Sequence, residues 1–172
     1  MAQMGFMLDQ KYCIGCQTCQ HACRVRHGVE PGTYPRVATS SQVEVEGPFI
    51  SMACNHCSNP ACVPVCPVGA LTKREDGIVV HDPEVCIGCL SCRDACPYNH
   101  PQLNTATQKM VKCDMCAARV DAGENPACVE ACPVKVLTFG NVEDLQAAGG
   151  VPEGVGFTYE ATEPNFYFIP VA

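Results

Sequence analysis

Leucine is scarce, with six residues in a chain of 172, and Leu, Ile, Val and Phe together number only 37. That is near the lower limit for a chain that folds on an apolar core alone. Twenty Val against six Leu, with 14 Gly and 14 Pro, exclude long helices and favour short strands in a turn-rich chain. Basic residues are also few. Eleven Lys and Arg against 18 Asp and Glu give a net charge of −7, and without a basic block sequence-independent binding of nucleic acid is excluded. No apolar run approaches the ~20 residues that span a bilayer, and Phe166-Tyr167-Phe168-Ile169 is far too short. The N-terminal Met1-Ala2-Gln3-Met4-Gly5-Phe6 lacks the basic region and apolar stretch of an export signal. The expected place of synthesis and folding is therefore the cytosol, where thiols stay reduced.

Cysteine is abundant, with 16 residues that fall by spacing into four groups of four. The first, Cys13, Cys16, Cys19 and Cys23, and the third, Cys86, Cys89, Cys92 and Cys96, share the spacing C-x-x-C-x-x-C-x-x-x-C. The second, Cys54, Cys57, Cys62 and Cys66, and the fourth, Cys113, Cys116, Cys128 and Cys132, differ only in a longer middle gap. This is an internal repeat in ligand spacing. The first and third groups match the bacterial ferredoxin run, although Cys23 is followed by Arg24 rather than Pro. In such a run three thiolates wrap one cubane, and the fourth, expected at the start of a short helical turn, reaches the neighbouring cluster. Pro67, Pro97 and Pro133 suit a sharp exit from the loop, and Gly15 and Gly88 permit close approach of backbone to cluster.

Three other uses of sixteen cysteines compete. Eight disulfides are arithmetically possible but out of place in a reducing compartment. A four-thiolate zinc site fits the fourth group taken alone, yet zinc motifs rarely run three Cys at successive three-residue spacings. One odd zinc or three-iron site is the remaining rival. Four [4Fe-4S] clusters use every thiolate. Spacing leaves open whether the first group pairs with the second or with the fourth.

Gly5-Phe6-Met7-Leu8-Asp9, the Cys13 run, Cys54-Asn55-His56-Cys57-Ser58-Asn59-Pro60-Ala61-Cys62, Lys73-Arg74-Glu75-Asp76-Gly77-Ile78-Val79-Val80, Cys86-Ile87-Gly88-Cys89 and Ala95-Cys96-Pro97-Tyr98 resemble the four-cluster electron-transfer (beta) subunits of complex iron-sulfur molybdoenzymes, notably those of the DMSO reductase type. The resemblance covers residues ~5 to ~140. It implies that the first run pairs with the fourth and the second with the third. Carried over, Cys13, Cys16, Cys19 and Cys132 hold cluster 1, and Cys23, Cys113, Cys116 and Cys128 cluster 2. Cys54, Cys57, Cys62 and Cys96 hold cluster 3, and Cys66, Cys86, Cys89 and Cys92 cluster 4. In the nitrate enzymes an aromatic residue replaces a Cys of the third run and leaves a three-iron cluster; here all four Cys are present, which implies four [4Fe-4S] clusters.

The resemblance implies an α+β fold of two nested bacterial-ferredoxin-like 2[4Fe-4S] units with short strands, short helices and long loops. Residues 1–49 and 107–140 form the outer unit, 50–106 the inner unit, and 141–172 an extension on the core or on a partner. It further implies a non-catalytic subunit that links a molybdopterin catalytic subunit to a quinone-binding membrane anchor, peripheral to the cell membrane on either its periplasmic or its cytoplasmic side. The alternative is a free soluble polyferredoxin. No nucleophile or acid-base constellation is present.

Short strands are expected at Gln42–Glu46 and Gly77–His81 with a turn at Gly47-Pro48. One or two helical turns are expected at Val68–Leu71 and Val134–Leu137, and a helix over Val142–Ala148, capped by Asn141 and stopped by Gly149-Gly150. The apolar tail ending Phe166–Ile169 is expected on a subunit contact or on its own core. His56 reads as a loop residue shielding a cluster, and His100 as a surface residue. Arg24, Arg26, Arg93, Lys109 and Lys112 lie near the Cys runs, either offsetting cluster charge or solvated.

Overall fold

The computed structural model describes residues 2–40 and 48–171. In chain order the elements are β1 (Met4–Asp9), α1 (Thr18–His27), β2 (Arg36–Ser40), β3 (Phe49–Ala53), β4 (Leu71–Lys73), β5 (Val79–His81), α2 (Ser91–Asp94), β6 (Gln102–Asn104), β7 (Lys109–Val111), α3 (Ala117–Asp121), α4 (Ala127–Glu130), β8 (Leu137–Asn141), α5 (Val142–Ala147) and β9 (Phe166–Ile169). The mixture is α+β, and the longest described helix has only ten residues. The expected strand at Gln42–Glu46 and Gly47 of the expected turn lie outside the described residues.

The two ends of the chain meet in one sheet of order β8-β1-β9, while β2-β3, β4-β5 and β6-β7 are separate hairpins. β1 runs antiparallel to β8 and parallel to β9, with Phe6 opposite Phe139 and Phe166, and Leu8 opposite Leu137 and Phe168. One face of β1 sends Phe6 and Leu8 into the main core. Its other face packs Met7 on Leu145 and Tyr167, so this strand is apolar on both sides rather than alternating. Asn141 caps α5 as expected, its side chain accepting from the Glu143 amide at 3.2 Å.

The apolar tail belongs to this core. Phe166 and Phe168 are fully buried, their rings 5.1 Å apart, and Phe168 also packs 5.1 Å from Phe157. Phe168→Ala is expected to cost about 3–5 kcal/mol of stability, measured as a lower urea midpoint of the holo-protein. An unchanged midpoint would mean that the tail is not part of the folded unit.

Of two expectations about local structure, one is corrected and the other narrowed. After Cys66 and Cys132 the chain makes a single turn and then enters β4 and β8, without the expected helical turns at Val68–Leu71 and Val134–Leu137. Gly69 and Lys135, three residues past each Cys, are left-handed, with φ of 65° and 55°, and such a residue stops a helix. The fourth Cys opens a single turn and no more: the amides of Gly69, Asn99 and Lys135 donate to the carbonyls of Cys66, Cys96 and Cys132, and no helix follows. Cys96 and Cys132 follow α2 and α4, Cys23 lies inside α1 with Cys19, and the third Cys of each of these runs is already on a helix.

Candidate functional site

Each regular run folds as a loop that reverses its backbone before a helix starts. Gly15 and Gln17 precede α1 with φ of 64° and 60°, and Gly88 and Leu90 precede α2 with φ of 71° and 61°. The irregular runs use His56 at φ 44° and the consecutive Met115 and Cys116 at 57° and 53°. These left-handed residues curl the chain so that amides approach the enclosed sulfurs. The Gly88 amide lies 3.4 Å from Cys86 Sγ, and the Met115 amide 3.3 Å from Cys113 Sγ. Glycine at 88 is also required sterically, because a Cβ there would sit 2.2 Å from the Gln108 carbonyl oxygen.

Folding gathers the sixteen cysteines into four groups. Cys13, Cys16, Cys19 and Cys132 line one cavity, with about 350 Å³ free of protein atoms, part of it open to solvent. Cys54, Cys57, Cys62 and Cys96 line a second of about 360 Å³, and Cys66, Cys86, Cys89 and Cys92 a third of about 300 Å³. Cys23, Cys113, Cys116 and Cys128 are all buried and close enough for each to feel the charge of others in the group. All sixteen are free thiols. Among the described residues no three His, Cys, Asp or Glu side chains converge closely enough to hold a single metal ion. The thiols thus ring a space wider than one zinc ion fills.

Burial sets the electrostatics. It pushes the Cys23 and Cys62 thiols up to about 12 and Cys57 up to about 11, and neighbouring thiolates add to each shift. Such thiols ligate only if a metal replaces their proton. At the surface the sign reverses: the Thr18 and Ser91 side chains hydrogen-bond Cys16 and Cys89 and hold them below the usual thiol range. Buried polar atoms without a protein partner complete the picture, including both side-chain heteroatoms of Asn55 and His100 Nε2, beside the Cys54 cavity. Of these the Asn55 amide nitrogen, a donor, fits a sulfur-rich anionic group.

His56 is fully buried, its Nδ1 accepting from the Val79 amide at 2.9 Å, and burial drives its pKa well below the usual range. His100 is not the expected surface residue. It stacks on Tyr98 at 5.8 Å and lines the Cys54 cavity, and burial lowers its pKa to about 3. The basic residues near the runs divide. Arg26 is exposed and Arg93 pairs with Asp94, whereas Lys109 Nζ donates to the Cys86 carbonyl. Arg24 Nη1 donates to the Val29 carbonyl, and Lys112 is buried, donating to the Val79 and Cys113 carbonyls.

Arg36 escapes a sequence reading although it is fully buried between two thiol groups. On β2 it faces inward with Ala38, while Val37 and Thr39 face out. The local pattern carries no sign that the Arg and not the Val is inside. Ser51, which lies 3.1 Å from Cys19 Sγ, and Thr162, 3.5 Å from Cys57 Sγ, are similarly silent, because both lie far from their cysteines in sequence.

Free thiols gathered by ferredoxin-type loops around cavities too wide for one ion define an iron-sulfur protein. The 4Fe-4S dicluster domain family matches residues 45–142, and a 4Fe-4S binding domain matches residues 10–26. One component of the anaerobic dimethyl sulfoxide reductase of Escherichia coli is 41% identical over 99% of this sequence and 90% of its own length. A component of the tetrathionate reductase of Salmonella typhimurium is 42% identical over 81% of this sequence and 58% of its own length. The thiosulfate reductase electron transfer subunit PhsB of Salmonella typhi is 42% identical over 84% and 79%. The protein belongs to this family of iron-sulfur electron-transfer subunits and is not itself catalytic.

Proposed function

We propose that the protein holds four [4Fe-4S] clusters, one per thiol group, and relays electrons between a molybdopterin catalytic subunit and a quinone-linked membrane anchor. Each cluster, when bound, supplies a one-electron couple with little rearrangement. The ligand sets are those of the four groups: Cys13, Cys16, Cys19 and Cys132; Cys23, Cys113, Cys116 and Cys128; Cys54, Cys57, Cys62 and Cys96; Cys66, Cys86, Cys89 and Cys92.

The carrying observation is a row of sites that surfaces at both ends. α1 bears Cys19 of the first group and Cys23 of the second. Lys112 bonds the carbonyl of Cys113 and its charge acts on Cys62, linking the second group to the third. Cys62 and Cys66 are joined by two consecutive turns, in which the Val63 amide donates to the Pro60 carbonyl and the Cys66 amide to the Val63 carbonyl, linking the third group to the fourth. Cys16 and Cys89 are the two thiols that are exposed, one at each end. Apolar side chains surround them: Ile14 and Val134 line the first cavity, Val68 and Ile87 the last, and all four are exposed. Apolar rims around exposed redox ligands suit docked partners and count against a freely diffusing polyferredoxin. A separate apolar cluster of residues 62–92 with Met110 supports an inner unit nested in an outer one, although Ile50, Ala53, Cys54 and Ile78 of that inner segment join the main core. Among the described residues no helix is long and apolar enough to cross a membrane, which fits a peripheral place in such a complex.

Native purification under anaerobic conditions, with iron and sulfide analysis, tests the proposal. The expected result is about sixteen iron and sixteen sulfide per chain, visible absorption near ~400 nm that bleaches on reduction, and co-purification with a large molybdenum-containing subunit. A colourless protein with about four zinc ions would defeat the cluster reading. Recovery with full iron but no molybdenum subunit would leave the free polyferredoxin instead.

A further inference from the structure

We infer that Arg36 is a positioning residue for the two outer centres: a buried cation that bonds one ligand set through Ser51, offsets the charge of the other, and holds both reduction potentials up. The inference rests on the cluster reading above.

Arg36 is fully buried on β2. Its Nη1 donates to the Ser51 carbonyl at 2.8 Å and to Ser51 Oγ at 3.1 Å. Ser51 Oγ in turn lies 3.1 Å from Cys19 Sγ. Because the hydroxyl oxygen accepts from the guanidinium, its own proton is directed to the sulfur, forming a relay Arg36–Ser51–Cys19. The remaining guanidinium atoms Nε and Nη2 are buried and have no protein partner. The rings of Phe6 and Phe166 lie 4.7 and 6.0 Å from the guanidinium carbon, and among the described residues no carboxylate pairs with it.

A buried cation without a counter-ion is costly and is retained where an anion meets it. The anionic groups acting on Arg36 are Cys128, Cys113, Cys19 and Cys23. One belongs to the first thiol group and three to the second. With clusters bound, each site carries about −2 when oxidised and about −3 after accepting one electron. A fixed positive charge in a low-dielectric interior favours the more negative form, so it raises the potential of both centres. The largest anionic effects on Arg36 come from those two groups, while its charge also reaches His56 and His100 beside the Cys54 site, so the two outer centres should respond most and the inner ones less.

The test is an EPR-monitored redox titration of the full holo-protein with Arg36→Gln, Arg36→Lys and Ser51→Ala. Arg36→Gln is expected to lower two of four midpoint potentials, cutting the reduced-to-oxidised ratio at fixed ambient potential by about tenfold, which is about 59 mV for one electron. The other two midpoints should fall by clearly less. Arg36→Lys should restore most of both shifts, and Ser51→Ala should lower one of the same two by a smaller amount. Four unmoved potentials, an equal fall of all four, or no recovery with lysine would overturn the inference. If Arg36→Gln fails to retain iron, Ser51→Ala decides, and an unmoved set of potentials in that variant overturns it. Fewer than four centres in the unmutated protein would instead be a failure of the cluster reading, seen before any variant is compared.

Discussion

Cys132→Ser is expected to abolish or convert the iron-sulfur centre whose other ligands, Cys13, Cys16 and Cys19, lie at the opposite end of the sequence. In primary structure Cys132 closes the run that starts at Cys113, so a reading by neighbourhood assigns it to that group. In the fold it lines the cavity of the first group, and its charge acts on Cys13. α4, which leads into Cys132, packs against α1, which carries Cys19. Serine is a poor substitute for a soft thiolate, so the centre should lose its iron or keep three of its four. Outright loss removes about a quarter of the iron and sulfide, one cubane of four. EPR and metal analysis check this, with Cys116→Ser as the comparison variant that should disturb the other outer centre. If only the Cys113 centre changed in Cys132→Ser, the reciprocal pairing would be wrong.

Removal of iron is expected to unfold the protein. Nine of the sixteen cysteines are buried, and the apolar clusters are built partly from them: Cys54, Cys113, Cys128 and Cys132 in one, Cys62, Cys86 and Cys92 in another. Without a cluster these buried thiols lose the atoms packed against them on one side and the contacts those atoms supply. An ordinary domain is stable by only about 5–15 kcal/mol, so losing such contacts at several sites at once weighs heavily. A sequence with so few Leu and Ile has no reserve to meet it. Cubanes in these sites would be both cargo and core, as zinc is in small metal domains. After chelation under anaerobic conditions, near-UV circular dichroism and slow amide exchange should be lost and the thermal transition should broaden or vanish. An apo-protein that unfolds cooperatively at the holo-protein's temperature would refute this.

Much of this protein is legible in its sequence because its chemistry is written in local spacing. Each C-x-x-C with its flanking glycines and prolines specifies a loop within a few residues, and Asn141 with Gly149 and Gly150 marks a helix by its own caps. Where local reasoning failed, one residue of backbone or one distant contact was responsible. Lys135 takes a left-handed conformation that nothing in its side chain announces, and a strand replaces the expected helical turn. His100 looks like a solvated histidine until Tyr98 is seen stacked on it.

The sequence by itself determined the iron-sulfur class, the spacing of the candidate thiol ligands and the shortness of the helices. These depend on residue identities and intervals that do not change on folding. Tertiary structure decided which thiols share a cavity, that Phe166 and Phe168 close the sheet on β1, and that an arginine lies between two thiol groups. Such facts depend on approaches between segments far apart in the sequence. Only the folded backbone fixes those distances, because loop closure and burial, unlike spacing, are properties of the whole molecule.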